Sequence, residues 1–349
     1  MKVCVIYLTI LLFFTSGCIN DNNNQAAFKE VVSVGNEVLI ESDKLHDPGK
    51  ICVMGHFLVV CNEKYSPQIE IFDLSSNSLR SSFLNVGNGP NEILHVGSLQ
   101  YNQLNKELLV ADLFKRKIFS YNLDDILKEN IVPTILYECA EDSPLMFDKL
   151  YKGKNYLIAE SRDPRGRILL IDENGKEMGY YLDYPDKKNV DNTLDDILNA
   201  KLYSSSLTIN SSLDRIALAT YGAGMIDICK IEKDRIIPQW NYTEFYPQGI
   251  MVVPMGGGSA VAHTDKSRNG FPFLTSSDKY VYALYSGKFL KDRTYPYGDE
   301  VYVVSWNGKD TYKIKLDIPI NRIAVDTKDE FIYGITSDMD IVRFSIPKR

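Results

Sequence analysis

The sequence predicts an all-β fold in which six antiparallel, four-stranded blades form a ring, a six-bladed β-propeller. Three observations support this prediction. One strand-loop-strand unit recurs along the chain, its copies are roughly fifty residues apart, and helical patterns are almost absent. Without helices to form crossover connections, successive strands are expected to pair antiparallel. Two packed sheets would also satisfy this condition, but six copies of one hairpin favour a ring.

The repeated unit is a turn, an apolar strand, a polar loop, a second apolar strand and a polar stop. Its copies are residues 55–77, 105–125, 153–175, 213–234, 278–310 and 329–347. The equivalent apolar positions in the first strand of each copy, 49 to 65 residues apart, are Leu58, Leu108, Leu157, Ile216, Val281 and Ile332. That spacing is close to the length of one four-stranded blade with its loops.

The two strands of each copy differ in their pattern. The first is apolar almost throughout, which predicts burial on both faces between neighbouring blades. The second tends to alternate, as in residues 300–306 and 340–346, which predicts a position nearer the outer edge of the blade. Short helices are expected only in connections, at residues 123–129 and 194–201.

The ends of the chain supply a means of closing the ring. The last copy ends at Ile346, so the sixth blade lacks an outer strand of its own. An apolar segment before the first copy, Glu37–Ser42, can provide it. Pairing this segment with the last blade would protect two strand edges. We therefore predict that an N-terminal strand closes the propeller.

Residues 1–17 have the features of a signal peptide. Val3–Phe14 is an apolar core too short to span a bilayer comfortably, and small residues follow it. Cys18 comes next, which is the order that a lipoprotein signal peptidase reads before it cleaves at a diacylglycerol-modified cysteine. We predict lipidation of Cys18; ordinary secretion with Cys18 as a bystander is the alternative.

The segment after the cysteine is polar. Residues 18–30 are predicted to be the lipidated N-terminus and a flexible tether, and residues 31–349 a single propeller domain. Ile19, beside the cysteine, favours transport onward to the outer membrane of a Gram-negative bacterium.

The stretch Val86–Ile93 (VGNGPNEI) contains Gly87, Gly89, Pro90 and Glu92. With it, the chain resembles the TolB-like six-bladed β-propeller lipoproteins of Gram-negative envelopes, which have a Gly-x-Gly-Pro-x-Glu stretch after their first blade. Other segments that are similar to this family are Leu202–Ile228, Lys279–Lys288 and Ile341–Pro347. The resemblance covers nearly everything after the tether. It implies the fold and an envelope location, whereas a propeller can host many unrelated activities.

Composition excludes some classes of function. A net charge of −7 and a pI near 5.3 argue against nucleic-acid binding, which requires a basic surface. No metal site is expected, because the histidines are scattered and no Cys-x-x-Cys or His-Glu-x-x-His occurs. Calcium could bind paired acids, although roles in turns and helix starts are preferred for Asp124-Asp125, Asp195-Asp196 and Asp338 with Asp340. Buried free thiols are preferred over disulfides for Cys52, Cys61, Cys139 and Cys229.

Two segments are candidate sites. Gly87–Glu92 could cradle a phosphate, but it lacks a following Lys-Ser or Lys-Thr, and Pro90 removes an amide. A structural connection whose glycines adopt positive φ is preferred to a ligand-facing loop. Met255–Phe273 is predicted to be a long loop. Ser259, His263 and Asp265 are the residue types of a hydrolytic triad, but no Gly-x-Ser-x-Gly surrounds the serine, so a simple connection between blades is preferred. If this loop faces a ligand, the candidate residues are Ser259, His263, Asp265 and Arg268.

These observations favour a non-catalytic binding or scaffold module, monomeric and without a cofactor. Loops at one end of the ring, or the central channel, would hold a glycan, a peptide or another envelope protein. The alternative is a metal-dependent propeller hydrolase of lactonase or esterase type. An enzyme of that type would gather several carboxylate, amide or imidazole groups at one point of the channel mouth, whereas a binding module could present aromatic and arginine surfaces.

Overall fold

The computed structural model describes residues 27–139, 147–191, 193–292 and 296–348. The predicted signal peptide, Cys18 and most of the predicted tether lie outside the described residues. None of the helices in the described part of the chain is long and apolar enough to cross a membrane.

Six four-stranded antiparallel blades make up the structure. Two strands, β1 (Val31–Val34) and β2 (Asn36–Ile40), precede the first blade. The first blade comprises β3 (Pro48–Met54), β4 (Phe57–Asn62), β5 (Ile69–Asp73) and β6 (Ser78–Phe83). The second comprises β7 (Val96–Asn102), β8 (Glu107–Asp112), β9 (Lys117–Asn122) and β10 (Thr134–Glu138). The third comprises β11 (Phe147–Lys152), β12 (Tyr156–Ser161), β13 (Ile168–Asp172) and β14 (Glu177–Tyr181).

The fourth blade is followed by a separate two-stranded hairpin. This blade comprises β15 (Ser205–Ile209), β16 (Arg215–Thr220), β17 (Met225–Glu232) and β18 (Arg235–Thr243), and the hairpin β19 (Ile250–Met255) and β20 (Gly258–His263). The fifth blade comprises β21 (Phe273–Ser276), β22 (Tyr280–Tyr285), β23 (Gly298–Ser305) and β24 (Thr311–Ile320). The sixth comprises β25 (Ile323–Val325), β26 (Phe331–Ile335) and β27 (Ile341–Ser345), with β2 as its fourth strand.

The repeated hairpin of the sequence is the second and third strand of each blade. The six apolar positions aligned from the sequence are each the second residue of a second strand, in β4, β8, β12, β16, β22 and β26. These strands are buried almost throughout, as predicted.

The alternation expected in the third strands is wrong for β23, where Val301–Val304 is entirely buried. A fourth strand covers the outer edge of each third strand, and neighbouring blades cover its faces. Clear alternation instead appears in the outer strand β24, whose first six residues are half-buried and buried in turn.

The predicted closure by an N-terminal strand is confirmed. β2 pairs antiparallel with β27, so that Val38 lies opposite Val342 and Glu37 opposite Arg343. Arg343 Nε donates to Glu37 Oε2 at 2.7 Å. The parallel pairing of β1 with β24 of the fifth blade was not predicted. The N-terminal segment therefore joins two adjacent blades as well as closing the ring.

Both short helices lie in connections, as predicted. Asn122 caps α1 (Leu123–Leu127) by accepting hydrogen bonds from the amides of Asp124 and Asp125. Asp195 caps α2 (Asp196–Lys201) by accepting from the Leu198 amide at 2.7 Å. Both acid pairs thus stand at helix starts, where carboxylates interact favourably with unpaired amides. Single turns of 3-10 helix occur at Ser42–Lys44 and Lys187–Asn189.

The four cysteines of the described chain are free thiols. Cys52 and Cys61 lie on the paired strands β3 and β4, as expected, but Cys52 stands opposite Val59 and Cys61 opposite Lys50. Burial raises the pKa of both thiols to about 12. Neither thiol is therefore prone to form the reactive thiolate.

Candidate functional site

The first strands of the six blades line a central channel. Because every blade is antiparallel and begins at its inner strand, all six inner strands run in the same direction along the channel. Their first residues therefore lie at one end, together with the connections between blades, and their last residues lie at the other. The two ends of the channel differ in chemistry.

Three cations meet at the end where the inner strands begin. Lys50 belongs to β3 of the first blade, Lys149 to β11 of the third, and Arg322 directly precedes β25 of the sixth. They line one cavity of about 110 Å³. The other three blades contribute Ser98, Ser206 and Phe273 to its wall. We refer to this cavity as the basic mouth.

Two of these cations have carboxylate partners. Lys149 Nζ lies 3.2 Å from Glu160 Oε2 and donates to the Ser205 carbonyl at 2.6 Å. Arg322 Nη2 lies 3.2 Å from Glu63 Oε1, and its guanidinium lies 4.1 Å from the centre of the Phe273 ring. These contacts fix both side chains in position before any ligand arrives.

Lys50 is different, because it forms no ion pair or hydrogen bond with the described residues. Burial lowers the pKa of Lys50; Cys61 and Glu63 oppose this effect, and the charges of Arg322 and Lys149 lower the pKa further. The pKa of nearby His95 is lowered as well, first by burial and then by Lys50. The basic mouth therefore holds a cationic group that no carboxylate of its own neutralises.

The opposite end of the channel is polar and mostly uncharged. It forms a cavity of about 130 Å³ whose wall includes Gln100, Asn102, Thr208, Asn210 and Ser276. Gln100 bonds both backbone groups of Lys152 at 2.9 Å, and the hydroxyls of Thr208 and Ser276 are 2.8 Å apart. Leu99 and Tyr151 line both cavities, which places the two ends on one continuous channel.

Within residues 27–139, 147–191, 193–292 and 296–348, no three His, Cys, Asp or Glu side chains lie close enough together to hold a metal ion. The charged groups that converge at the basic mouth are cations, with Phe273 beside them. In the described chain, the convergence of acids that a lactonase-like hydrolase would need is not present at either end of the channel.

Comparison with known proteins identifies the family. The family model for TolB-like 6-blade propeller-like proteins matches residues 25–328. The chain belongs to the TolB-like six-bladed propeller family. The resemblance found in its sequence is thereby confirmed.

Solved structures share the fold of this TolB-like propeller. A candidate exported protein from Bacteroides fragilis is 12% identical, with a TM-score of 0.51 over 91% of this chain and 100% of its own. A member of the duf4221 family from Bacteroides vulgatus is 12% identical, with a TM-score of 0.56 over 90% of this chain and 96% of its own. At this identity the likeness shows the fold alone. No curated protein sequence matches the chain.

The family motif of this TolB-like propeller forms a loop between the first and second blades. Glu92 Oε2 accepts a hydrogen bond from the Gly89 amide at 2.7 Å, and Lys115 Nζ donates to the carbonyls of Gly89 and Glu92 at 3.0 and 2.8 Å. The expectation that Gly87 and Gly89 adopt positive φ is wrong. A Cβ on Gly87 would lie 2.1 Å from the Glu92 carboxylate, so a larger residue there would require the Glu92 side chain to move. The Gly89 amide of this loop is thus bound by the Glu92 carboxylate of the same loop.

The predicted long loop at Met255–Phe273 is partly a β-hairpin. Its three consecutive glycines lie at and beside the turn, and Ser259 pairs with Pro254 across the two strands. Ser259 and His263 are both exposed and stand four residues apart on one strand, which separates them by roughly 13 Å. That distance is far beyond hydrogen-bond reach, so the structure does not assemble a triad.

The remaining two residues of this segment follow the hairpin. Asp265 is exposed at the surface. Arg268 donates to the Gly287 carbonyl at 3.0 Å and to the Tyr285 hydroxyl at 2.8 Å, and its guanidinium lies 4.4 Å from the centre of the Phe245 ring. Arg268 therefore fastens the exit of the hairpin to the fifth blade.

Sequence reasoning missed the basic mouth. A usable signal was present: Lys50 and Lys149 each occupy the third position of the first strand of a blade, among mostly apolar neighbours. Arg322 lies just outside β25 and has no such signal. Its proximity to Lys50 follows only from the closure of the ring.

Proposed function

We propose that this protein is an exported, lipid-anchored binding module of the bacterial cell envelope, and that the basic mouth holds an anionic group of its ligand. The observation on which the proposal rests is Lys50, a half-buried lysine without a carboxylate partner beside two further cations. An oxyanion would offset the electrostatic and desolvation cost of that arrangement. A carboxylate or phosphate on a glycan, a peptide or a protein would have the required chemistry.

The role assigned to each residue follows from its contacts. Lys149 and Arg322 are held by Glu160 and Glu63, so they can orient the ligand at little entropic cost. Lys50 supplies the charge that the protein leaves unneutralised. Such binding requires no catalytic residue, in keeping with a non-catalytic module.

The location is also part of the proposal. Residues 1–17 would direct export, Cys18 would receive the lipid, and residues 18–30 would tether the propeller to the outer membrane. Two features support it: the order of apolar core, small residues and cysteine in the sequence, and membership of a family associated with the envelope.

The test is calorimetric titration of the mature protein in detergent with inorganic phosphate and, separately, with acetate. Ionic strength is held constant with chloride, so that general screening does not change. We expect saturable binding of at least one anion, and a loss of at least about tenfold in affinity for Lys50→Met, since charge-assisted hydrogen bonds contribute about 1.5–3 kcal/mol.

The matched control is Lys64→Met, because Lys64 is an exposed lysine whose ammonium forms no hydrogen bond or ion pair in the described chain. This variant should bind like the wild type. Binding of neither anion, or equal affinities for Lys50→Met and the wild type, would contradict the proposal.

A further inference from the structure

A second cavity lies on the outside of the ring, between the third and fourth blades. Its volume is about 610 Å³, within the range of small-molecule sites. It is bounded by the outer strands β14 and β18 and by residues 182–189, which follow β14. We call this cavity the outer groove. It shares no lining residue with the basic mouth, and the inference drawn from it does not depend on the proposed function.

Aromatic rings form much of the outer groove. Tyr180, Tyr181 and Tyr246 are each half-buried, so part of every ring remains accessible. Tyr181 donates its hydroxyl to the Asp234 carbonyl at 2.7 Å, and the Arg165 guanidinium lies 4.0 Å from the centre of the Tyr180 ring. Rings fixed in this way offer flat apolar surfaces at little entropic cost.

Polar groups without partners stand among these rings. The side chains of Asp183 and Asn241 are exposed and form no hydrogen bond within the described chain. The Asn241 amide can both donate and accept hydrogen bonds, and the Asp183 carboxylate accepts them. The outer groove thus presents a free donor and free acceptors beside the rings.

The wall of the outer groove is acidic. Asp227 is 7% exposed, and its Oδ2 receives a hydrogen bond from Arg167 Nη1 at 2.6 Å, while Oδ1 accepts none from the described residues. Arg167, 2% exposed, also donates to Thr220 Oγ1 at 2.9 Å. Arg167 is the single cation among the described lining residues, and Asp227 neutralises it. An anionic ligand would meet unfavourable charge here.

We propose that the outer groove binds a neutral oligosaccharide. Sugar rings have apolar C–H faces that stack on aromatic rings. Their hydroxyls donate to carboxylates such as Asp183 and accept from groups such as the Asn241 amide. Carboxylates without a free cation disfavour acidic saccharides. A basic peptide would also suit the charge, but it would leave the amide donor of Asn241 unused.

Isothermal titration calorimetry tests this proposal, and variants of the groove residues locate any binding that it detects. The mature protein in detergent is titrated with hexasaccharides of glucose, mannose and N-acetylglucosamine, and in parallel with an acidic oligogalacturonate and with hexalysine.

We expect saturable binding of at least one neutral hexasaccharide and no binding of oligogalacturonate. The double variant Asp183→Ala/Asn241→Ala should weaken binding about tenfold or more, because it removes two exposed hydrogen-bonding side chains. Its urea midpoint should match that of the wild type, since neither side chain has an internal partner. Asp338→Ala removes an exposed aspartate of the sixth blade and should leave binding unchanged.

Three outcomes would overturn the proposal. They are no response to any neutral hexasaccharide, equal affinity in the double variant and the wild type, and a response to hexalysine alone. The last result would assign the outer groove to a basic peptide. None of these outcomes bears on phosphate or acetate binding at the basic mouth, so the two proposals can fail separately.

Discussion

Truncation of Ile40 should destabilise the whole ring, whereas truncation of Val38 in the same strand should not. Ile40 is 1% exposed and packs in the apolar cluster between the sixth and first blades, with Leu58 and Ile341. Val38 is 48% exposed. Both residues belong to β2, which pairs with β27, so a comparison of the two variants separates the role of side-chain burial from that of strand pairing.

The expected magnitudes follow from this burial. Ile40→Ala removes buried carbons and leaves a cavity, so we expect a loss of about 2–5 kcal/mol in the free energy of unfolding. Val38→Ala changes a largely exposed side chain and should cost no more than about 0.5 kcal/mol. Urea unfolding of the mature protein, followed by far-UV circular dichroism, gives both values by linear extrapolation.

Hydrogen exchange distinguishes a closed ring from a loosely attached strand. If β2 seals the ring, Ile40→Ala should increase exchange at amides in the first blade as well as in β27, because the two blades share the cluster. Equal urea midpoints for the two variants would refute the reasoning. So would increased exchange confined to β2 and β27, which would show that the strand frays without opening the ring.

Two further predictions concern Lys50 and the anchor. Lys50→Met should be more stable than the wild type at pH 7, because it removes a half-buried charge whose folded-state pKa is lowered below 10.5, mainly by burial. The unfolded chain binds the proton more tightly, so the penalty is complete below the folded pKa and disappears as the pH rises towards 10.5. Urea unfolding should show a smaller difference in the free energy of unfolding between Lys50→Met and the wild type at pH 9.5 than at pH 7. A variant less stable than the wild type at pH 7 would contradict the conclusion that the charge of Lys50 destabilises the fold. For the anchor, the wild type and Cys4→Ser, a change within the predicted signal peptide, should incorporate radiolabelled palmitate, whereas Cys18→Ser should not; equal incorporation by Cys18→Ser would rule out a lipid on that residue.

Much of the fold could be predicted from local patterns. A second strand such as Phe57–Asn62 lies in the middle of its blade and is covered on both faces, so its sequence must be apolar throughout. Because this requirement recurs once per blade, the spacing of such runs gives the number of blades. The closure by β2 was predictable for a related reason: an unmatched apolar strand at one end of the chain complements a missing strand at the other.

Other features could not be read locally. The alternation expected for β23 was wrong because β24 covers the outer edge of β23, and the residues of β23 alone do not reveal that neighbour. The glycines of the family motif appeared to need positive φ, yet Gly87 makes room for the carboxylate of Glu92. The three consecutive glycines near Met255 suggested a loop, although they belong to the turn region of a hairpin.

The sequence by itself determined the repeated strand pairs, the number of blades and the strand that closes the ring, since the burial of a strand is evident in the residues of that strand. Only the tertiary structure decided which side chains meet at the channel and in the outer groove. Lys50, Lys149 and Arg322 belong to three different blades. They converge because inner strands of all blades approach one axis, and no pattern within a single repeat records that approach.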